Sequence, residues 1–117
     1  MIYTIENEYL RVKVSTVGAT LVSFIDKKTN TDIVLGFDDQ ASYFKNTGPH
    51  LGATVGRNAN RIADGSFVIN GEKYQLSLNE PGICLHSGVG DLSFRGYTLK
   101  ELKEDEIVLS LFDGDMS

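Results

Sequence analysis

Tryptophan is absent from the 117 residues, cysteine occurs once, and proline and histidine occur twice each. The single cysteine, Cys84, cannot close an internal disulfide, which excludes a disulfide-stapled domain. No apolar run approaches the length of a membrane span. The first ten residues, MIYTIENEYL, carry Glu6 and Glu8 and lack the apolar stretch of a secretory signal. These absences together point to a cytoplasmic protein without a membrane partner. A basic cluster is missing too: 11 basic against 16 acidic residues leave a net charge of -5, which argues against nucleic acid and anionic lipid as partners.

Several chemical motifs are also wanting. There is no HExxH, no CxxC and no Gly-x-Ser-x-Gly elbow. GATVGR at 52–57 has too few residues between its glycines, and no Lys followed by Ser or Thr, to be a phosphate loop. Asp113-Gly114-Asp115 lacks the distal glutamate of an EF-hand, so no metal site is expected. Cys84, between Ile83 and Leu85, reads as a buried apolar filler and not as a nucleophile.

What remains is enough for one domain over 1–117 with a single core. From Tyr9 to Ser15, Leu10, Val12 and Val14 alternate with Arg11, Lys13 and Ser15, the period of a half-buried strand. Val17 and Gly18 break it. TLVSFID at 20–26 predicts a second strand, KKTNT at 27–31 a turn, and 32–35 a short strand, together a meander. Residues 36–51 mix Gly, Pro, Asp and Asn without period and predict a long loop with one helical turn across 39–44. Phe67 to Ile69 and Lys73 to Leu76 flank Asn70-Gly71, a hairpin signal because both turn residues must take positive φ. Residues 77–93 are again loop-like, and 97–103 and 107–112 predict two further strands. No helical period is sustained, so the class is all-β, with antiparallel strands, long loops and a sandwich or barrel-like sheet.

The residues able to carry chemistry are few. Arg61 offers five donors in a fixed fork and Asn60 an amide that both donates and accepts, a pair suited to neutral polyhydroxylated ligands. Alternatively, Arg61 pairs with an acid such as Asp64 and only covers the sheet. His86 lies in CLHSG beside glycine, where a ligand can approach the backbone and an imidazole can donate or accept a proton near neutral pH. A lone histidine is more often structural. His50, in GPHLGA, has no companion in the sequence and reads as loop surface.

Six segments in order, VGATLVSF, VLGFDDQASY, GATVGRNANRI, GSFVINGEKYQL, LNEPGICLHSG and LFDGDM, resemble the aldose 1-epimerase (galactose mutarotase) family, in its N-terminal third. The resemblance implies part of a galactose mutarotase-like β-sandwich (supersandwich) and an isomerase of hexose metabolism. Such an enzyme interconverts the α and β anomers of sugars such as galactose or glucose by acid-base ring opening, with no cofactor. It implies that Asn60, Arg61 and His86 bind the sugar, His86 being the family's catalytic-site histidine of the LHSG loop. The family's general-base glutamate, its second histidine and a sugar-binding aspartate fall in its pattern after the last residue of this chain. The expectations are therefore a truncated chain with little turnover alone, and a homo-oligomer or a missing C-terminal remainder that covers its open strand edges. Two other readings stand beside it: a non-catalytic carbohydrate-binding module, and a self-assembling structural fragment.

Overall fold

The structure is a computed structural model and describes residues 1–45 and 49–114. Every strand pairing among the described residues is antiparallel, and the class is all-β as the alternating segments predict. The folded chain divides into two compact units. The first comprises Met1–Thr54 with Ser93–Ser117, the second Val55–Leu92.

The first unit is built on a four-stranded meander: β1 (Ile2–Glu6), β2 (Leu10–Ser15), β3 (Thr20–Asp26) and β4 (Thr31–Asp32), in that spatial order. β1, which the sequence reading passes over, opposes β2 along its length from Ile2↔Ser15 to Glu6↔Arg11. Leu10, Val12 and Val14 share one face of β2 as expected, but Ser15, assigned to the polar face, is fully buried. Its hydroxyl accepts from the Val17 amide at 3.1 Å, which removes the cost of burying a polar group. A bulge between β2 and β3 carries the register from Lys13↔Ser23 to Val14↔Leu21, so Val22 is an extra residue. It ends strict alternation, and Val22 and Ser23 are both buried although adjacent.

β4 is shorter than the strand expected over 32–35. The Asp32 carboxylate takes the Phe24 amide at 3.0 Å and the Ser23 hydroxyl at 2.6 Å, side-chain bonds where a longer strand would place carbonyls. Ile33 and Leu35 then stand exposed. The loop after β4 folds back through the helical turn the sequence predicts, α1 (Gln40–Tyr43), capped by Asp39, whose carboxylate accepts from the Ser42 amide at 2.8 Å. Residues 46–48 of that loop lie outside the described residues, as do Asp115 and Met116 of the terminal motif.

Tyr43 anchors the first unit's core with Val17 and Val22, and Ile2 and Phe37 pack around them. The rings of Phe37 and Tyr43 meet edge to face at 5.1 Å. Gly36 makes this closure possible, since a β-carbon there would lie 2.6 Å from both the Tyr43 hydroxyl and the Val22 carbonyl. The last two strands, β9 (Thr98–Leu102) and β10 (Ile107–Ser110), form the hairpin expected from 97–112, a little shortened at both ends. The chain entering β9 runs beside the end of β2: Gly18 donates to the Arg95 carbonyl and Tyr97 to that of Thr16, each at 2.8 Å. His50 also belongs to this unit and, unlike its expected bare loop position, has its ring centroid 5.2 Å from that of Phe94.

In the second unit, β6 (Ser66–Ile69) and β7 (Glu72–Gln75) form the Asn-Gly hairpin, with Asn70 at φ 51° and Gly71 at φ 80°. The other ribbon pairs β5 (Arg61–Ala63) with β8 (Ile83–Leu85), three residues each. Neither is expected from the sequence, because three residues cannot display a period and β8 sits inside a loop-like stretch. Cys84 on β8 is wholly buried, the apolar filler its neighbours suggest. No helix among the described residues is long and apolar enough to cross a membrane.

Candidate functional site

The three residues singled out in the sequence gather on the β5–β8 ribbon of the second unit. Arg61 opens β5, with Asn60 just before it, and His86 follows the last residue of β8. Because Arg61 opposes Leu85, the next positions in register are Asn60 and His86. They bond reciprocally: the His86 amide donates to the Asn60 carbonyl at 3.0 Å, and the Asn60 amide donates to His86 Nδ1 at 2.9 Å. Both take left-handed backbone angles, φ 65° at Asn60 and φ 50° at His86, and Ser87 follows at φ 68°. Asparagine and histidine are among the non-glycine residues that tolerate this region, and such angles gather where a ligand site demands a particular chain path.

Neighbouring side chains hold the two segments together. Ser87 Oγ accepts the Asn58 amide at 2.7 Å and donates to the Asn58 carbonyl at 3.0 Å. On the outer edge of β8, Asn79 uses both ends of its amide on Leu85. Glu80 and Ile83 exchange backbone bonds around Pro81-Gly82, with Gly82 at φ 72°, the positive angle required at the third position of a type II turn. Three-residue strands would be marginal alone, and these contacts supply what their length does not.

The acid beside Arg61 is Glu80, not the nearby Asp64 that sequence proximity suggests. Arg61 Nε lies 3.2 Å from Glu80 Oε2 and Nη2 lies 3.5 Å from Oε1. Asp64 is instead a turn residue at φ 59°. The Arg61 side chain keeps 59% of its surface exposed, so this pair is worth about 0–1 kcal/mol to the fold, and donors of the guanidinium remain for a ligand. Asn60 is exposed and His86 half-buried. No group of three or more His, Cys, Asp or Glu residues suited to a metal ion occurs among the described residues. Glu80, Asn79 and Ser87 were not singled out from sequence; the signal available for the first two was their place before Pro-Gly, where a tight turn brings them back onto the next strand.

The all-β antiparallel fold has its structural neighbours among galactose mutarotase-like proteins. The similarities found among known proteins agree. A family model described as aldose 1-epimerase matches residues 1–116, and the chain belongs to that family. It is 38% identical over 90 residues to the galactose mutarotase of Bos taurus, covering 74% of this chain and 26% of that protein. It is also 38% identical over 101 residues to the bifunctional protein GAL10 of Pachysolen tannophilus, covering 86% of this chain and 14% of that one. Among solved structures, a GalM/aldose epimerase homologue from C. elegans superposes with a TM-score of 0.86 at 30% identity, covering 95% of this chain and 35% of that one. A galactose 1-epimerase from Lactobacillus acidophilus NCFM gives 0.83 at 30% identity, covering 96% and 34%. The chain thus spans about a quarter of the bovine mutarotase and about a third of the solved structures it matches.

Proposed function

We propose that the chain presents the sugar-binding half of an aldose 1-epimerase site. In this reading Asn60 and Arg61 engage hydroxyls of a hexose such as galactose or glucose, and His86 engages the ring oxygen. The observation that carries it is the reciprocal Asn60–His86 pairing, which sets His86 beside the strand that opens with Arg61, whose side chain keeps 59% of its surface exposed.

The reaction is ring opening and closure. A general base removes the proton of the anomeric hydroxyl while an acid protonates the ring oxygen; the C1–O5 bond breaks, the aldehyde rotates, and the reverse steps close either anomer. His86 holds the ring oxygen in place for that exchange. The base and acid that complete it are not among Asn60, Arg61 and His86, so the 117 residues alone bind sugar with little turnover.

Polarimetry on freshly dissolved α-galactose and α-glucose tests this, with an Arg61→Ala, His86→Ala double variant as control. The expected result is saturable binding in a parallel NMR titration, lost in the variant, with anomerisation close to the buffer rate. Failure to bind either sugar would overturn the site. Acceleration abolished by the double variant would overturn the half-site and assign base and acid to the chain itself.

A further inference from the structure

We propose that Ser87 is a positioning residue of the sugar-binding half-site: its hydroxyl holds the Asn58 backbone, and through it the path of the chain into Asn60 and Arg61. The sugar reading above supplies the ligand, and the inference rests on it to that extent; the hold on Asn58 is a property of the free chain.

Two demands compete at Ser87. Its φ of 68° lies in the left-handed region, where glycine is at ease and a β-carbon is strained. It also stands at the N-cap of the short helical turn Gly88–Gly90, where a serine hydroxyl ordinarily accepts an amide of the turn, yet it makes no such bond. The hydroxyl goes to Asn58 instead, accepting its amide at 2.7 Å and donating to its carbonyl at 3.0 Å. One oxygen thus does both halves of what a residue on a paired strand does, which requires a group that donates and accepts. Alanine and glycine have no such group, and the branched β-carbon of threonine is poorly suited to positive φ.

The bonds hold Asn58 to Ser87 and not the reverse, because Ser87 is anchored on both sides. Before it, Asn79 takes the amide and the carbonyl of Leu85. After it, the Val89 amide donates to Ser77 Oγ at 3.0 Å, and Gly88 lies so near that hydroxyl that a β-carbon would collide with it. Residues 57–60, by contrast, are exposed and belong to no strand. Ser87 fixes this segment at Asn58 and the pairing with His86 fixes it at Asn60, so the chain is already confined where it enters Arg61. A segment left loose would have to be ordered as the ligand binds, at a cost in affinity.

The test compares wild type with Ser87→Ala, which removes the hydroxyl and keeps the β-carbon, and Ser87→Gly, which removes the hydroxyl and relieves the backbone. Without sugar, amide hydrogen exchange of the 117-residue chain, read by ¹⁵N NMR, is expected to show Asn58 protected in wild type and unprotected in both variants. Urea unfolding is expected to place Ser87→Gly above Ser87→Ala in stability, since alanine is strained at positive φ. NMR titration with galactose is expected to give both variants the same loss, at least about threefold in Kd. Affinity then follows the hydroxyl while stability follows φ, a split that a merely structural role would not produce. Affinity that falls in step with stability, or that keeps its wild-type value in both variants, would overturn the proposal, and so would Asn58 protection that survives loss of the hydroxyl. A wild-type chain that protects Asn58 but binds neither galactose nor glucose would overturn the sugar reading, and with it the positioning role, while the hold on Asn58 would stand.

Discussion

Asn79 grips Leu85 by both ends of its side-chain amide: Nδ2 donates to the Leu85 carbonyl at 2.8 Å, and Oδ1 accepts the Leu85 amide at 2.6 Å. One side chain thereby does for the outer edge of β8 what a neighbouring strand would do. It also fixes the residue immediately before His86.

Replacing Asn79 by alanine should cost about 1–2 kcal/mol, since two backbone groups lose their partners and recover only part of the loss from water. Aspartate keeps the acceptor and loses the donor, and should fall between. Urea unfolding of the three chains measures the order. Equal stability of wild type and Asn79→Ala would mean the strand edge is held by its turn alone.

A second prediction concerns the core. The Tyr43 hydroxyl accepts the Phe37 amide at 2.8 Å inside a cluster where the tyrosine is 1% exposed. Tyr43→Phe retains the ring and its edge-to-face contact but strands that amide, at a cost of about 1–3 kcal/mol. Gly36→Ala should destabilise as well, and the two should not compensate, because the added β-carbon still meets the Val22 carbonyl. A double-mutant cycle by thermal unfolding checks both statements.

These elements show which parts of the molecule were legible in advance. The Asn70-Gly71 hairpin was, because its turn geometry admits few residue types. The strands at 9–15 and 20–26 were, the first by its alternation and the second by its β-branched and aromatic residues. The Val22 bulge was not, since an extra residue leaves no mark on composition, and neither were β5 and β8, whose pairing depends on Asn79, Ser87 and a Pro-Gly turn more than on their own residues. Asn60, Arg61 and His86 could be named by residue type, and the first and last prove to be bonded neighbours. Glu80 could not be chosen over Asp64, because a partner 19 positions away comes into reach only once the turn at Pro81-Gly82 is folded.

Acid should destabilise the first unit through two carboxylates. Glu6 is held below the usual carboxylate range by the hydrogen bond from Arg11 and then by the charge of Lys27. Asp32 is held below it by the Ser23 hydroxyl and then by the Phe24 and Val34 amides. A depressed folded-state pKa means these groups stabilise the fold above the unfolded carboxylate pKa of about 4, and that this contribution disappears as pH falls through the lower folded values. The thermal midpoint should therefore drop below about pH 4, and Asp32→Asn should flatten the profile. Added salt should weaken the Glu6 part, which rests on the charged partners Arg11 and Lys27, more than the Asp32 part, which rests first on hydrogen bonds from the uncharged Ser23, Phe24 and Val34 donors. A profile flat from pH 7 to about pH 3 would contradict the assignment.

The last prediction separates a binding role for Glu80 from a stabilising one. Its pair with Arg61 is exposed, so Glu80→Ala should change unfolding free energy by less than about 1 kcal/mol. Its effect on sugar affinity should be larger in proportion. Without the carboxylate, the guanidinium is no longer aligned before the ligand arrives, and ordering a long side chain on binding costs about 0.5–1.5 kcal/mol, or about twofold to thirteenfold in Kd. Glu80→Gln retains an acceptor for Nε and should fall nearer to wild type. NMR titration with galactose reads the affinity and urea unfolding the stability. A variant that loses stability and keeps its affinity would make Glu80 a strut of the turn. One that keeps its stability and loses affinity would make it the residue that aims Arg61.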